Sequence, residues 1–259
     1  MNCLICNAST NLLFEKIIMN TYNAEYRYCA SCDFVFVAQP YWLDEAYSSA
    51  ITDLDLGLVQ RNLMNAKLSA RIINFFFHNK ASFYDAAGGY GLFTRLMRDS
   101  GFDFYHTDPY CQNLFAKDFE LIKDKKYELV TAYEVMEHIV SPLAFIDSIT
   151  KHTDNILFST DIMPSLDTIQ DWDYLSLPTG QHIRFYSTKA LQVIAQKIGL
   201  HYASNGISYH IFSKKKIHSM VFKIICSYRW NQWDILSWRN NPSLLMNDYQ
   251  NKLKTLSSQ

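Results

Sequence analysis

Two groups of residues in this chain have the types and spacing that chemistry requires. The first is Cys3-x-x-Cys6 with Cys29-x-x-Cys32, two pairs with 22 residues between them. A tight turn brings both sulfurs of each pair to one side, and two such turns supply the four thiolates of a tetrahedral zinc. Four cysteines leave no coordination position open, so a metal held there would be structural. It would stabilise a segment too small to build its own core. A redox role is a weaker reading, since one pair would suffice and neither opens a helix after a strand. Cys111 and Cys226 fall outside the pattern and read as packing residues.

The second group is the stretch Phe83-Tyr84-Asp85-Ala86-Ala87-Gly88-Gly89-Tyr90-Gly91-Leu92-Phe93. A strand ends near Asp85, a turn of small residues follows, and a helix begins around Leu92. Glycines in the turn let the backbone approach a ligand without a Cβ in the way. The next strand runs from Phe102 to His106 and delivers Asp108, 19 residues after Gly89, to the carboxyl edge of the sheet. A carboxylate there can accept hydrogen bonds from both hydroxyls of a ribose. The pair describes a site for a nucleoside-containing cofactor. A dinucleotide would call for Gly-x-Gly-x-x-Gly, and Thr94 stands where the third glycine belongs.

The elements that must hold these groups follow from pattern. Short β-like runs cover Glu25 to Cys29 and Phe34 to Ala38. Residues 41–80 read as helical, with Leu63, Ala66, Leu68, Ile72, Ile73 and Phe76 at three- and four-residue steps. From 82 onward short apolar runs alternate with helical patterns: Ser82–Asp85, Phe102–His106, Leu129–Tyr133, Ile156–Ser159, Leu200–Ala203 and His210–Phe212. That alternation predicts an α/β domain with a largely parallel sheet. The 259 residues carry 24 basic against 25 acidic side chains, so no global field draws the chain to a phosphate backbone, and nucleic acid is not expected as a partner. No apolar run is long enough to cross a bilayer, and the N-terminus lacks the regions of a signal peptide. A cytoplasmic, reducing location is expected, where paired cysteines favour metal over disulfides.

The wording Asp85-Ala86-Ala87-Gly88-Gly89-Tyr90-Gly91 resembles the first motif of class I S-adenosylmethionine-dependent methyltransferases, with Ala87 in place of the usual first glycine. Tyr127-Glu128-Leu129-Val130-Thr131-Ala132-Tyr133-Glu134-Val135-Met136-Glu137-His138 is similar to the family's fourth strand and its Glu-x-x-Glu-His ending, after which Pro142-Leu143 opens a helix. Gly180-Gln181-His182-Ile183-Arg184-Phe185-Tyr186-Ser187 resembles a stretch of a narrower group, the nucleotide-sugar C-methyltransferases with an N-terminal four-cysteine module. The likeness spans roughly residues 1–212.

The resemblance implies a Rossmann-like fold with a mostly parallel seven-stranded sheet. Together with the pattern along the chain, the expected division is a zinc-binding ribbon-like module (1–40), a helical bridge (41–80), a catalytic domain (81–213) and, beyond the resemblance, a helical tail (214–259). The resemblance further implies that Asp85, Ala87, Gly88, Gly89 and Gly91 surround the methionine part of S-adenosyl-L-methionine. Asp108 would hold the ribose, Pro109 and Tyr110 would border the adenine, and Asp118-Phe119 would meet its edge. Tyr133 and Glu134 would line the donor's mouth. A hydroxyl or C–H acceptor needs a base, and histidine suits neutral pH. His182 is the favoured base and His138 the second candidate, while His106 reads as core. Trp172, Tyr174 and Tyr186 would form an aromatic wall for the acceptor, with Tyr174 counted among the catalytic residues. The implied acceptor is a small molecule, a sugar or nucleotide-linked sugar, with structural zinc beside the donor.

Two other functions fit fewer of these residues: a nicotinamide-dependent oxidoreductase, and a non-catalytic zinc-ribbon binding protein. In the tail, Lys214-Lys215-Lys216 precede Met220, Val221, Phe222, Ile224 and Ile225, with Trp230, Trp233 and Trp238 beyond. A helix with a wide apolar face is expected, packed on the domain or on a second subunit, with a membrane surface as the less favoured alternative.

Overall fold

The computed structural model describes residues 1–48, 55–227 and 241–257. The strands β1 (Asn11–Ile18), β2 (Tyr22–Cys29) and β3 (Phe34–Val37) form an antiparallel meander. Met19 and Asn20 both adopt left-handed backbone, and Thr21 N donates to Ile18 O at 3.0 Å. That is the mirror-image hairpin turn whose twist matches its strands. The helices α1 (Leu43–Ala46) and α2 (Leu58–Phe76) follow. Ala66, Leu68, Ile72 and Ile73 lie on the buried face of α2, as their spacing requires, whereas Leu63 is exposed.

The alternating region gives β4 (Ser82–Ala86), α3 (Leu92–Asp99), β5 (Asp103–Thr107), β6 (Leu129–Ala132), α4 (Pro142–Thr150) and β7 (Asn155–Ser159). Then come β8 (Arg184–Tyr186), α5 (Thr188–Lys197), β9 (His201–Ser204) and β10 (Tyr209–Ser213). Pro142 at the first turn of α4 gives up only an N–H that would be unpaired anyway. Ser187 caps α5 by accepting from Ala190 N at 3.0 Å.

The main sheet has strand order β5-β4-β6-β7-β10-β9. β4 runs parallel to β5 and β6, and β10 is antiparallel to both β7 and β9. The expectation of seven strands is corrected to six among the described residues. At the β5 edge the seventh shrinks to a single parallel bridge, His106 to Glu120, with His106 N bonded to Phe119 O and Leu121 N to His106 O. Asp118 and Asp124 both take left-handed backbone, which turns the chain away on either side of Glu120.

The second sheet has order β1-β2-β3-β8, because β3 pairs antiparallel with β8: Phe34 with Tyr186, Val35 with Phe185, Phe36 with Arg184. The strand over Arg184–Tyr186 was not anticipated from the sequence, being too short to show alternation. Contacts group the chain into two compact units, one of residues 1–55 and 132–223, the other of 56–131 and 224–259.

In the first unit Ile18, Tyr26, Val35, Trp42 and Phe185 belong to one buried core. The Trp42 indole donates to Gly180 O at 2.8 Å. Gly180 has φ +66°, and a Cβ there would sit 2.7 Å from Ile18 and 2.8 Å from the indole nitrogen. In the second unit Phe83 stacks on Phe104, and Phe93 meets Phe104 edge-on. Much of the aromatic content is therefore ordinary core.

The tail holds α6 (Ser219–Cys226) and α7 (Leu245–Ser257). The helix begins at Ser219, after the lysines, and buries Phe222 and Ile225 while Met220 stays exposed. Trp230, Trp233 and Trp238 lie outside the described residues. α7 is held by Asp248, which accepts from Arg98 Nε at 2.9 Å, from Arg98 Nη2 at 2.8 Å and from Arg95 Nη1 at 3.0 Å. No described helix is long and apolar enough to cross a membrane.

Candidate functional site

The glycine-rich turn joins β4 to α3. Ala87 has φ +54°, Gly89 φ +59° and Gly91 φ +82°, so three positions of the turn need left-handed backbone and one of them carries a side chain. Gly88 is required by contact: a Cβ there would lie 2.3 Å from Asp85 Oδ2 and 2.6 Å from His106 Nδ1. Gly89, in contrast, faces open space. Its N–H donates to Asp108 Oδ2 at 2.9 Å. Asp108 Oδ1 accepts from Tyr110 N at 2.8 Å and Cys111 N at 2.9 Å. Three backbone donors thus fix this carboxylate beside the turn, with Pro109 next in the chain and the Tyr110 ring exposed.

Asp85 is buried and accepts from Thr131 Oγ1 at 2.5 Å. Burial, with a smaller push from the Asp108 charge, raises its carboxyl to about 7. His106 is core, as its strand position suggested, and burial lowers its imidazole. Asp118 pairs with Lys252, and the Phe119 ring lies under the Arg98 guanidinium at 3.5 Å. Both residues expected at an adenine edge are therefore engaged within the protein.

The other expected residues gather after β6. Glu134 takes φ +55°; its N–H donates to Ser159 Oγ at 2.8 Å, and that hydroxyl donates to Glu134 Oε1 at 2.6 Å. Tyr133 meets Tyr209 edge-on. Glu137 is fully buried: Tyr174 Oη donates to its Oε1 at 2.7 Å, and Oε2 has no partner among the described residues. Burial, reinforced by the Glu134 charge, raises its carboxyl to about 8. His138 lies with Nδ1 2.9 Å from Tyr47 Oη and 3.1 Å from Gln181 O. Burial first, then the neighbouring His182, lowers its imidazole to about 3.

The His138 and His182 rings stand edge to face at 4.8 Å. His182 Nδ1 is 2.6 Å from Tyr174 O. A carbonyl only accepts, so Nδ1 carries the hydrogen and Nε2 of the neutral ring keeps its lone pair. Trp172 stacks on Tyr174 at 4.8 Å. Tyr186 is not part of that wall: it is fully buried against Phe34 and donates to Met136 O at 2.9 Å.

Of the residues singled out in the sequence, the rings of His138, His182 and Tyr174 are neighbours, and Glu134 precedes them just past β6. No role was expected for Glu137, Tyr47 or Ser159. Glu137 was visible only as the second acid of Glu-x-x-Glu-His, and nothing in the sequence marks Tyr47.

The four cysteines converge. Cys3 Sγ is 3.5 Å from Cys32 Sγ and Cys6 Sγ is 3.4 Å from Cys29 Sγ, and all four sulfurs lie within 4.8 Å of one another. The two knuckles are alike. Asn7 and Asp33, each following the second cysteine, take left-handed backbone and donate N–H to the carbonyl of the first, at 3.0 Å and 2.8 Å. Zinc–sulfur bonds of about 2.3 Å in a tetrahedron place sulfurs about 3.8 Å apart, a spacing this cage reaches with small adjustments. Cys3 is held down to about 5 by hydrogen bonding from Cys32, whose own thiol is pushed up. Glu137, His138 and His182 also bring three ligand-type atoms within 4.8 Å.

No curated protein is similar enough in sequence to serve as a relative. Among solved structures the chain is similar to the plantazolicin methyltransferase BpumL in complex with SAH, at 10% identity, 68% of this chain, 95% of that chain and TM-score 0.46. It is also similar to the magnesium protoporphyrin IX methyltransferase ChlM of Synechocystis PCC 6803 with bound SAH (14%, 66% and 90%, TM-score 0.43). A third is an O-methyltransferase family 2 protein of Planctomyces limnophilus DSM 3776 in complex with apigenin (12%, 66% and 65%, TM-score 0.43). Residues 60–205, more than half of the chain, match the family described as "Methyltransferase domain", and with the glycine turn and Asp108 inside that span the chain belongs to this family and is an S-adenosylmethionine-dependent methyltransferase.

Proposed function

We propose that the protein methylates a small-molecule acceptor, a sugar or nucleotide-linked sugar, with His182 taking the acceptor proton. The observation that carries the proton role is the short contact of His182 Nδ1 with a carbonyl, Tyr174 O. The Nδ1–H is committed to that oxygen, which leaves Nε2 basic.

When bound, the donor supplies an electrophilic methyl on a sulfonium, so the protein's share is alignment, exclusion of water and removal of a proton. The turn from Asp85 to Gly91 and the fixed Asp108 carboxylate would hold the donor. Glu134 and Tyr133 would line its reactive end. His138 stays neutral beside His182 and meets its ring edge to face. Tyr174 fixes both Glu137, through its hydroxyl, and His182, through its carbonyl. Glu137, raised to about 8, holds a proton near neutrality and adds no second negative charge beside Glu134. The four-cysteine cage would hold one structural zinc.

The sugar assignment is supported by the likeness of Gly180–Ser187 to the sugar-methylating group. Trp172 and Tyr174, stacked and only partly buried, are side chains of the kind a sugar ring packs on. In an assay of S-adenosylhomocysteine release over a panel of nucleotide-linked sugars, the wild type turns over and His182→Ala does not, while donor affinity stays within about twofold. Loss of donor binding in His182→Ala would assign the histidine a structural role. Turnover only with non-sugar acceptors would sink the sugar assignment.

A further inference from the structure

Arg184 sits in β8 with 2% of its surface exposed. Every hydrogen bond of its guanidinium goes to a backbone carbonyl. Nη1 donates to Val37 O at 3.0 Å and Ile183 O at 2.8 Å, and Nη2 to Val140 O at 2.7 Å. Nε has no partner among the described residues, and burial brings the group's pKa down to about 10. A buried cation held only by neutral groups is costly, and an apolar side chain of similar volume would fill the place more cheaply.

The guanidinium does what an apolar side chain cannot: it bridges three segments of backbone. Val37 ends β3, the strand that leaves the Cys29–Cys32 knuckle. Ile183 leads into β8, directly after His182. Val140 closes the loop that carries Glu137 and His138. That loop is bound to β8 by three further contacts. Ile183 N and Arg184 N both donate to Glu137 O, at 2.8 Å and 3.1 Å, and Tyr186 Oη donates to Met136 O. A lysine could not replace the fork, since its ammonium cannot span carbonyls on opposite sides.

We infer that Arg184 is a positioning residue: it locks the 137–140 loop onto the sheet that carries the cysteines, and so sets Glu137 and His138 against His182. The inference rests on the reading of those groups as the proton-handling set. The arginine touches none of the reacting atoms and acts only through the loop.

The test uses the full chain as wild type, Arg184→Met and Arg184→Lys. Imidazole NMR follows the titration of His138 and His182, and calorimetry follows S-adenosylhomocysteine binding. In both variants the loop loosens, water reaches His138, and its titration midpoint rises by about one pH unit or more. Affinity for S-adenosylhomocysteine stays within about twofold. His138 and His182 titrating as in the wild type, in variants that still bind S-adenosylhomocysteine, would overturn the inference. Should neither variant fold, the wild type decides: Arg184 Nη signals that are separate and protected from exchange are expected, and one averaged signal would overturn it. The proton-handling reading fails on a different result, turnover that survives His182→Ala.

Discussion

Glu137→Gln removes an ionisable group from the protein interior while keeping an oxygen for the Tyr174 hydroxyl. The wild-type carboxyl rises from an ordinary 4.5 to about 8, because it is buried and lies near the Glu134 charge; its Oε2 has no partner among the described residues. A carboxyl whose folded value exceeds its unfolded value adds relative stability while protonated in both states, and that advantage is lost as pH climbs toward the folded value. Stability should therefore fall between roughly pH 5 and pH 8. At about 1.4 kcal/mol per pH unit, Glu137 alone accounts for a loss of roughly 2.5 kcal/mol between pH 5 and pH 7. In a chain of this size that is about 5–10 °C in Tm.

The glutamine variant places an amide nitrogen where Oε2 had no acceptor, a penalty of about 1–3 kcal/mol that does not depend on pH. The slope, not the absolute stability, is therefore the readout. Urea unfolding at pH 5, 6, 7 and 8 should give a shallower decline for Glu137→Gln, by roughly 2.5 kcal/mol between pH 5 and 7. A residual decline should remain from Asp85, which rises to about 7. Parallel curves for variant and wild type would refute the reasoning, since they would mean that Glu137 is already ionised at neutral pH.

Other outcomes follow from the same contacts. Gly88→Ala should abolish donor binding by calorimetry and lower stability by about 1–3 kcal/mol, because its Cβ has nowhere to go between Asp85 and His106. Ala87→Gly should raise stability by about 1 kcal/mol in urea unfolding, by relieving a left-handed alanine. Freshly purified protein should carry about one zinc per chain by elemental analysis, and stripping it should lower Tm sharply; a protein that is metal-free and equally stable would remove the structural metal. Asp248→Asn should cost about 2–4 kcal/mol by leaving the buried Arg98 short of its main partner.

What could be read from the sequence was whatever is encoded locally. The apolar runs Ser82–Asp85 and Leu129–Tyr133 marked β4 and β6. The small-residue turn gave the loop, and two Cys-x-x-Cys pairs gave one cage. Each of those signals lies within a dozen residues or within a repeated spacing. The pairing of β3 with β8 joins residues about 150 apart and leaves no trace in periodicity, since three residues are too few to alternate. The six-strand count depended on left-handed Asp118 and Asp124, a choice that side-chain pattern does not announce. Tyr47 reaches His138 only through the fold, so no motif could contain it.

Left-handed backbone outside glycine also serves turns and knuckles, at Met19, Asn20, Asn7 and Asp33, but two such residues stand at the sheet's ligand-binding edge. Ala87 and Glu134 both adopt left-handed backbone without being glycine, and each lies just past the carboxyl end of a strand, β4 and β6 respectively. In an open parallel sheet the carboxyl ends are where ligands bind, at the point where strand order reverses around the first strand. The order β5-β4-β6 puts β4 at that reversal. Holding a side chain in such a conformation costs roughly 1–2 kcal/mol per residue, and it persists only where neighbours fix the backbone. For Glu134 those neighbours are the two bonds to Ser159; for the alanine turn, Gly88 N bonded to Thr107 O and Gly89 N bonded to Asp108. The unpaired Oε2 of Glu137 follows three residues after Glu134, on the loop that Arg184 binds. Glycine at 87 and an apolar residue at 137 would each be cheaper for the fold, and the two stretches that carry this cost are the ones proposed above to hold the donor and handle the proton.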